Sequence, residues 1–409
     1  MSEDVVITGV GVGSAIGHGK DAFLDALLEG RSAFGIMRRP GRQLGQETSF
    51  IGAEMEMPPL PDALEKSLPR GLSLSGRLAL ATLHEAWEEA SLDAIDPRRI
   101  GLIVGGSNFQ QREIALLHEK YRNREAFLRP TYGMTFMDTD VVASCTSLFG
   151  IRGPSYTVAG ASASGQLAIL RAAQAVRSGE VDACIALGPL MDLSYWECLG
   201  LRSLGAMGSD RHADAPSAAC RPFDTDRDGF IFGECGAAIV VERATPARRA
   251  GVRPYATVCG WGLVIDGNRN PDPSVDGEIA AIRAALETAG CQASDIDYVN
   301  PHGTGSPLGD ETELKALRAC GLACAAINAT KSVTGHGLCA AGAVEVAATV
   351  LQMRAGRLHP SLNLEAPIDT GFDWVRGTSM ARDVRHAITL SMGFGGVNTA
   401  LCLRHADEA

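Results

Sequence analysis

Apolar positions along the chain fall into two rhythms. Short continuous runs rich in Val, Ile, Leu and Ala occupy residues 5–12, 100–104, 156–159 and 182–187, and runs of that length predict buried strands. Between them, apolar residues return at three- and four-residue spacing over 21–28, 78–92, 113–121 and 167–176, which predicts helices with one face toward a core. A second series starts after Gly251, with strands over 255–261, 296–300 and 388–392 and helices over 278–289, 307–319 and 342–353. Strands alternating with helices predict an α/β protein whose mainly parallel sheet is covered on both faces. Residues 35–74 carry Gly, Pro and charge without periodicity and are expected as loop. The second series echoes the first. The hinge is expected within 244–253, where Pro246, Gly251 and the adjacent Pro254 interrupt the pattern, so the expected units are residues 1–250 and 251–409.

Composition narrows the class. A chain of 409 residues exceeds the usual single-core size, and 45% hydrophobic content with only 5% aromatic and 47 glycines suits tight packing of small aliphatic residues. The net charge of -11 argues against nucleic acid or an anionic membrane as the main partner. Eleven cysteines, an odd number, lie mostly inside apolar runs, as buried thiols do in a reducing compartment, and disulfides are not expected. The start Met1-Ser2-Glu3-Asp4 is acidic where a signal peptide is basic, and the apolar run at 340–353 is interrupted by Glu345. A cytoplasmic protein without a membrane segment is the expectation.

The chemistry centres on residues 153–165, GPSYTVAGASASG, which read as strand, tight turn and the head of a buried helix. Ser162 falls where that helix begins, facing unpaired backbone N–H groups and the positive end of the helix dipole. Alone, such a serine reads as an N-cap. Three later stretches add to it: Pro301-His302-Gly303-Thr304-Gly305-Ser306, then Thr330-Lys331 through His336 and on to Glu345, then the turn Gly393-Phe394-Gly395-Gly396. Two histidines in glycine-rich turns, one near a lysine and a helical glutamate, point to a site at the sheet end where α/β sites form. Other patterns fail on spacing. Gly9-x-Gly11-x-Gly13 lacks the dinucleotide fingerprint, and Asp224-x-Asp226-x-Asp228-Gly229 has Cys235 where a calcium loop needs its bidentate glutamate. Gly160-x-Ser162 lacks the second glycine of a hydrolase elbow, and Cys320 and Cys324 lack zinc-site spacing, so no metal is expected.

The motifs, in this order, resemble the β-ketoacyl-ACP synthases of the type II and polyketide kind. They are Val5-Val6-Ile7-Thr8-Gly9, the run from Pro222-Phe223-Asp224 to Gly233-Glu234, His302-Gly303-Thr304-Gly305-Ser306, Lys331 to His336 with Ala340 to Glu345, and Gly393-Phe394-Gly395-Gly396-Val397-Asn398. The resemblance spans nearly the whole chain. It implies a thiolase-like five-layered αβαβα duplication, with two mixed, mainly parallel sheets around a buried central helix, and a homodimer with residues 156–159 at its interface. It also implies catalytic roles for Ser162, His302, His336 and Lys331, and support from Glu345 and Phe394. Glu345 is expected to hold Lys331 and the turn bearing His336. Thr304 and Ser306 match hydroxyls that hydrogen-bond phosphopantetheine. No bound cofactor is implied, since the substrate arrives on the phosphopantetheine of an acyl carrier protein.

One departure is selective. The family carries cysteine where this chain has Ser162, while the histidines, lysine, glutamate and Phe394 turn are retained. A thiol of pKa ~8.5 is readily lowered at a helix N-terminus, and a serine hydroxyl is not, so acyl loading is expected to be slow or absent. Decarboxylation instead needs hydrogen bonds to a developing enolate oxygen, worth ~3–4 kcal/mol per donor. The closest resemblance is thus to ketosynthase-like enzymes of polyketide β-branching that convert malonyl-ACP to acetyl-ACP for an HMG-CoA-synthase-like partner. A Ser-nucleophile acyltransferase, with a histidine as base, and a Cys→Ser variant of a condensing synthase remain as alternatives. A chain-length-factor-like subunit is disfavoured by the intact histidine pair. Residues 105–111, GGSNFQQ, replace a smaller glycine-rich loop, and Phe109 and Gln110 are expected to shorten the acyl tunnel.

Overall fold

The computed structural model describes residues 4–45, 48–244 and 251–406. Most of the expected hinge, 245–250, lies outside the described residues. The N-terminal apolar run forms β1 (Val5–Ser14), buried along its whole length. Helix α1 (Leu74–Glu89) follows, started by the Ser73 side chain, which accepts the Gly76 N–H. Then come β2 (Ile100–Gly105), β3 (Ser155–Val158), α2 (Ser164–Ser178), β4 (Ala183–Gly188) and β5 (Cys235–Arg243). The second half contains β6 (Ala256–Ile265), α3 (Val275–Ala289), β7 (Tyr298–Asn300), α4 (Pro307–Ala319), β8 (Ala326–Ile327), α5 (Ala341–Ala355), β9 (Asp373–Trp374), β10 (His386–Gly393) and β11 (Val397–His405).

The strands run in the order β9-β8-β7-β10-β11-β6-β1-β5-β4-β2-β3. Outward from the middle, the halves repeat one another. β1 pairs antiparallel with β5 and β5 with β4, after which β2 and β3 follow in parallel. β6 likewise pairs antiparallel with β11 and β11 with β10, after which β7 and β8 follow in parallel. A short antiparallel contact, Val6 opposite Thr257 and Ile7 opposite Ala256, joins the halves.

The sheet is mixed, as the resemblance implies, but parallel pairing is confined to the outer strands and does not predominate, and the two expected sheets run together as one through the β1–β6 contact. The strands over 235–243 and 397–405, absent from the sequence reading, are the ones that run antiparallel. β10 and β11 are joined through the Gly393 to Gly396 turn, and a connection that short permits only an antiparallel pair. The loop expected over 35–74 also needs correction. It holds strands Phe34–Ile36 and Ile51–Ala53, which join Phe232–Gly233 in a small sheet, and the helix Asp62–Ser67. Three-residue strands are too short to show a period.

Helices α2 and α5 pack against each other at the centre, between the two halves of the sheet, while α1 covers β1 and α3 covers β6 and β11 from outside. α5 is buried from Ala341 to Met353. The stretch Leu338–Ala355 is apolar enough to cross a membrane, yet 89% of it is buried inside the protein, so its apolarity is that of a core helix. Glycine lets the two central helices meet head to head. A Cβ on Gly165 would lie 2.7 Å from Ala343 N, and one on Gly342 2.7 Å from Gln166 N, so any side chain there would push the helix starts apart.

Candidate active site

Ser162 sits where the edge strand β3 turns into the central helix. Ala161 takes a left-handed conformation, φ 47°, and Ala161–Ala163 form a single 3-10 turn before α2. Ser164 secures that turn: its hydroxyl accepts the Gly160 N–H at 2.9 Å and donates to the Ala161 carbonyl at 2.6 Å. Ser391 Oγ donates to the Ser162 carbonyl at 3.2 Å. Ser162 is therefore not the N-cap that its position suggests. Its side chain caps nothing and points instead to His336, with Oγ 3.0 Å from Nε2.

His336 is held by its own backbone. Its N–H donates to the Ile231 carbonyl at 2.7 Å, and its carbonyl accepts from Gly233 N at 3.2 Å. The Nδ1 atom accepts the backbone N–H of Leu338 at 3.3 Å, an arrangement for which Leu338 adopts φ 53°. A ring nitrogen that accepts cannot carry a proton, so the single proton of the neutral imidazole is on Nε2. Burial, followed by the charge of Lys331, holds the His336 pKa well below the usual value, so the ring stays neutral.

His302 follows β7. Its backbone N–H and that of Gly303 donate to the Glu313 carboxylate at 2.6 and 2.8 Å, which fixes the turn. The buried Lys331 ammonium donates to His302 Nδ1 at 3.3 Å, and also contacts the His302 carbonyl and the Glu345 carboxylate. Again Nδ1 accepts, so Nε2 carries the proton. Burial, then Lys331 and His336, lower the His302 pKa well below its ordinary range. The two rings stand edge to face, centroids 5.5 Å apart. Burial pushes Glu345 up to about 7 against the opposing pull of Lys331. The Lys331–Glu345 pair acts directly on His302, and the turn bearing His336 is held by Ile231, Gly233 and Leu338 and by Gly335 N–H, which donates to the Lys331 carbonyl at 2.9 Å.

These groups surround a cavity of about 300 Å³ whose wall includes Ser162, His302, His336, Thr304, Ser306 and Phe394. Lys331 and Glu345 lie behind His302. Thr304 Oγ1 accepts the Ser306 N–H at 3.2 Å, and Ser306 Oγ accepts Gly309 N–H at 3.4 Å at the head of α4. Both hydroxyls have their hydrogens left to donate. Phe230 stands edge-on to His336, centroids 5.1 Å apart, and with Leu338 and Met392 makes the wall apolar beside the polar groups. Phe394 remains exposed.

The 105–111 loop differs from expectation. Phe109 and Gln110 are buried in the protein, and Ser107 and Asn108 line the cavity instead. Asp138 draws the loop inward, accepting Asn108 N–H at 3.0 Å and Phe109 N–H at 3.3 Å. Of the calcium-like aspartates, Asp224 is occupied: it accepts from Arg221, Asp226 N, Glu365 N and Ala366 N. Sequence reasoning passed over Leu338, Glu313 and Phe230. Leu338 acts through its main chain and Glu313 lies eleven residues from His302, so neither leaves a local pattern.

Comparison with known proteins places this site. The family model described as Beta-ketoacyl synthase, N-terminal domain, matches residues 2–247, and that described as Beta-ketoacyl synthase, C-terminal domain, matches residues 255–365. The chain is 58% identical over 405 residues, 99% of this chain and 97% of the relative, to the polyketide biosynthesis malonyl-ACP decarboxylase PksF of Bacillus subtilis. It is 31% identical over 408 residues, 98% of each chain, to 3-oxoacyl-(acyl-carrier-protein) synthase 1 of Haemophilus influenzae. Among solved structures, the ishigamide ketosynthase/chain length factor is 28% identical with a TM-score of 0.88, covering 99% of this chain and 100% of that one. A β-ketoacyl synthase from Burkholderia phymatum is 28% identical with a TM-score of 0.87, covering 98% and 99%.

Proposed function

Because the chain belongs to the β-ketoacyl synthase family, we propose that it decarboxylates malonyl-ACP to acetyl-ACP without condensation. The observation that carries the reading is the direction of the two histidine N–H bonds. With both Nδ1 atoms occupied as acceptors, His302 and His336 present two Nε2–H donors to the cavity and no free base. Two neutral donors suit a thioester oxygen that becomes an enolate oxygen as carbon dioxide leaves, an electrostatic contribution of ~3–4 kcal/mol per donor.

The same tautomers weaken the acyltransferase reading, since a serine nucleophile needs a histidine nitrogen that accepts its proton. A Cys→Ser variant of a condensing synthase is disfavoured by the 58% identity to a decarboxylase against 31% to a synthase. The malonyl group arrives on the phosphopantetheine of an acyl carrier protein, whose amides the Thr304 and Ser306 hydroxyls bind at the cavity wall. A homodimer fits the exposed Tyr156 on the edge strand β3, which pairs only with β2 among the described strands. In polyketide β-branching, the acetyl-ACP passes to an HMG-CoA-synthase-like enzyme. The test is incubation with malonyl-ACP followed by intact mass spectrometry of both proteins. Acetyl-ACP with unmodified enzyme is the expected result, and an acyl group on Ser162 during turnover refutes it.

A further inference from the structure

Decarboxylation leaves an unanswered proton. The product needs one more hydrogen on carbon than the enolate has, and an enzyme that does not condense must supply it. We propose that the Ser162 hydroxyl is the acid that protonates the enolate carbon, a role that rests on the decarboxylase reading above.

Three observations carry it. His336 Nε2 holds the proton on its side of the contact, so Ser162 Oγ accepts there, and the hydroxyl hydrogen is free to point into the cavity. Ser162 Oγ lies 3.0 Å from His336 Nε2, so when substrate binds that N–H passes from the serine to the enolate oxygen and leaves Oγ beside it, with the enolate carbon only two bonds from that oxygen. A productive complex needs that carbon within roughly 3–3.5 Å of Oγ, the range of a near-attack arrangement. The other polar groups on the wall are committed elsewhere or placed further from the histidine pair. Each histidine is committed as a donor to the enolate oxygen, Asp266 accepts from Asn398 Nδ2 at 2.8 Å, and Lys331 is screened behind His302. Ser107, Thr304 and Ser306 remain as competing hydroxyls: Ser107 accepts from Asn108 Nδ2 at 3.3 Å, while Thr304 and Ser306 are assigned above to the phosphopantetheine amides.

The step balances. The bond to the carboxylate breaks and its electron pair becomes the enolate, with carbon dioxide released. The enolate carbon takes the Ser162 proton: a C–H bond forms and the O–H bond breaks. The resulting alkoxide faces His336 Nε2–H and the positive end of α2, both of which stabilise it. Solvent water returns a proton to the serine, and the hydroxide formed combines with carbon dioxide as bicarbonate. In sum, malonyl thioester and water give acetyl thioester and bicarbonate.

The experiment uses the intact protein with malonyl-ACP in an equal mixture of H₂O and D₂O, following carbon dioxide release and the H/D ratio in the acetyl methyl group. Ser162→Ala should lower kcat by about 10²–10⁴, the range of a general acid, with KM little changed. Its H/D ratio should shift to that of the uncatalysed reaction, while Ser107→Ala keeps the wild-type ratio. An unchanged kcat and ratio in Ser162→Ala overturns the role, as does a lost ratio in Ser107→Ala alone. Should Ser162→Ala fail to fold, the wild-type ratio decides: equality with uncatalysed protonation by free water overturns it. Wild-type protein that releases no carbon dioxide overturns the functional reading itself.

Discussion

Replacing Lys331 separates stability from catalysis in this site. Lys331 and Glu345 are each 2% exposed, the ammonium contacts Oε1, and Glu345 Oε2 has no hydrogen-bond partner among the described residues. Lys331→Met strands that carboxylate in the core, and breaking a buried pair from one side costs about 3–5 kcal/mol. Because burial already raises Glu345 to about 7, the stranded group takes up a proton near neutral pH, which places the loss toward the lower end of that range. Replacing both partners, Lys331→Met with Glu345→Leu, removes the penalty and should return the thermal midpoint close to wild type. Activity should not return with it. Without the ammonium at Nδ1, the His302 proton is free to move to that nitrogen and the Nε2–H donor is lost, and losing one such donor lowers kcat by about 10²–10³. The assay is malonyl-ACP decarboxylation by the wild type and the two variants, beside their unfolding curves. A double variant with restored stability and full kcat would falsify the claim that Lys331 sets the His302 tautomer.

Acidification should dissociate stability from activity in another way. Both histidines are held neutral below their usual pKa, so between pH 6.5 and the depressed values the unfolded chain binds protons that the folded one does not. The histidine contribution to stability should be lost as pH drops through about 6.5, partly offset by Glu345, whose pKa raised to about 7 adds stability as it takes up a proton, while kcat shows no acid limb from the histidines; an acid limb in kcat centred at 6.5 would refute the assignment. Thr304→Val with Ser306→Gly should raise KM for malonyl-ACP more than it lowers kcat, checked by steady-state kinetics; glycine at 306 keeps the loss of the α4 cap to a few tenths of a kcal/mol. Ser162→Cys should accept an acetyl group from acetyl-ACP, seen as a mass increase, since a thiol at this helix start gains stabilisation of its thiolate.

The outline of fold and site was legible where residues act through periodicity or side-chain type. β1, α2 and α5 follow from apolar rhythm, and the structure gathers Ser162, His302, His336, Thr304, Ser306 and Phe394 around one cavity, with Lys331 and Glu345 behind it. What stayed hidden depends on partners distant in sequence. β5 and β11 were unseen, and with them the antiparallel centre of the sheet. Phe109 looked like a cavity residue by its size, but Asp138, roughly thirty residues away, turns the loop so that Phe109 enters the core. The lysine and glutamate were read as a pair correctly, yet which histidine they serve depended on where β7 ends.

Leu338 gives the site an unusual kind of robustness. The hydrogen bond that decides where the His336 proton resides comes from a peptide N–H, which every amino acid except proline carries, with the φ of 53° at that position further disfavouring only β-branched residues. Drift in the side chain at 338 can reshape the apolar wall while leaving the polarity of the histidine intact. A survey that scores residues by the effect of side-chain truncation would pass over this contact entirely, and an exchange of the peptide bond for an ester at that one position would expose it.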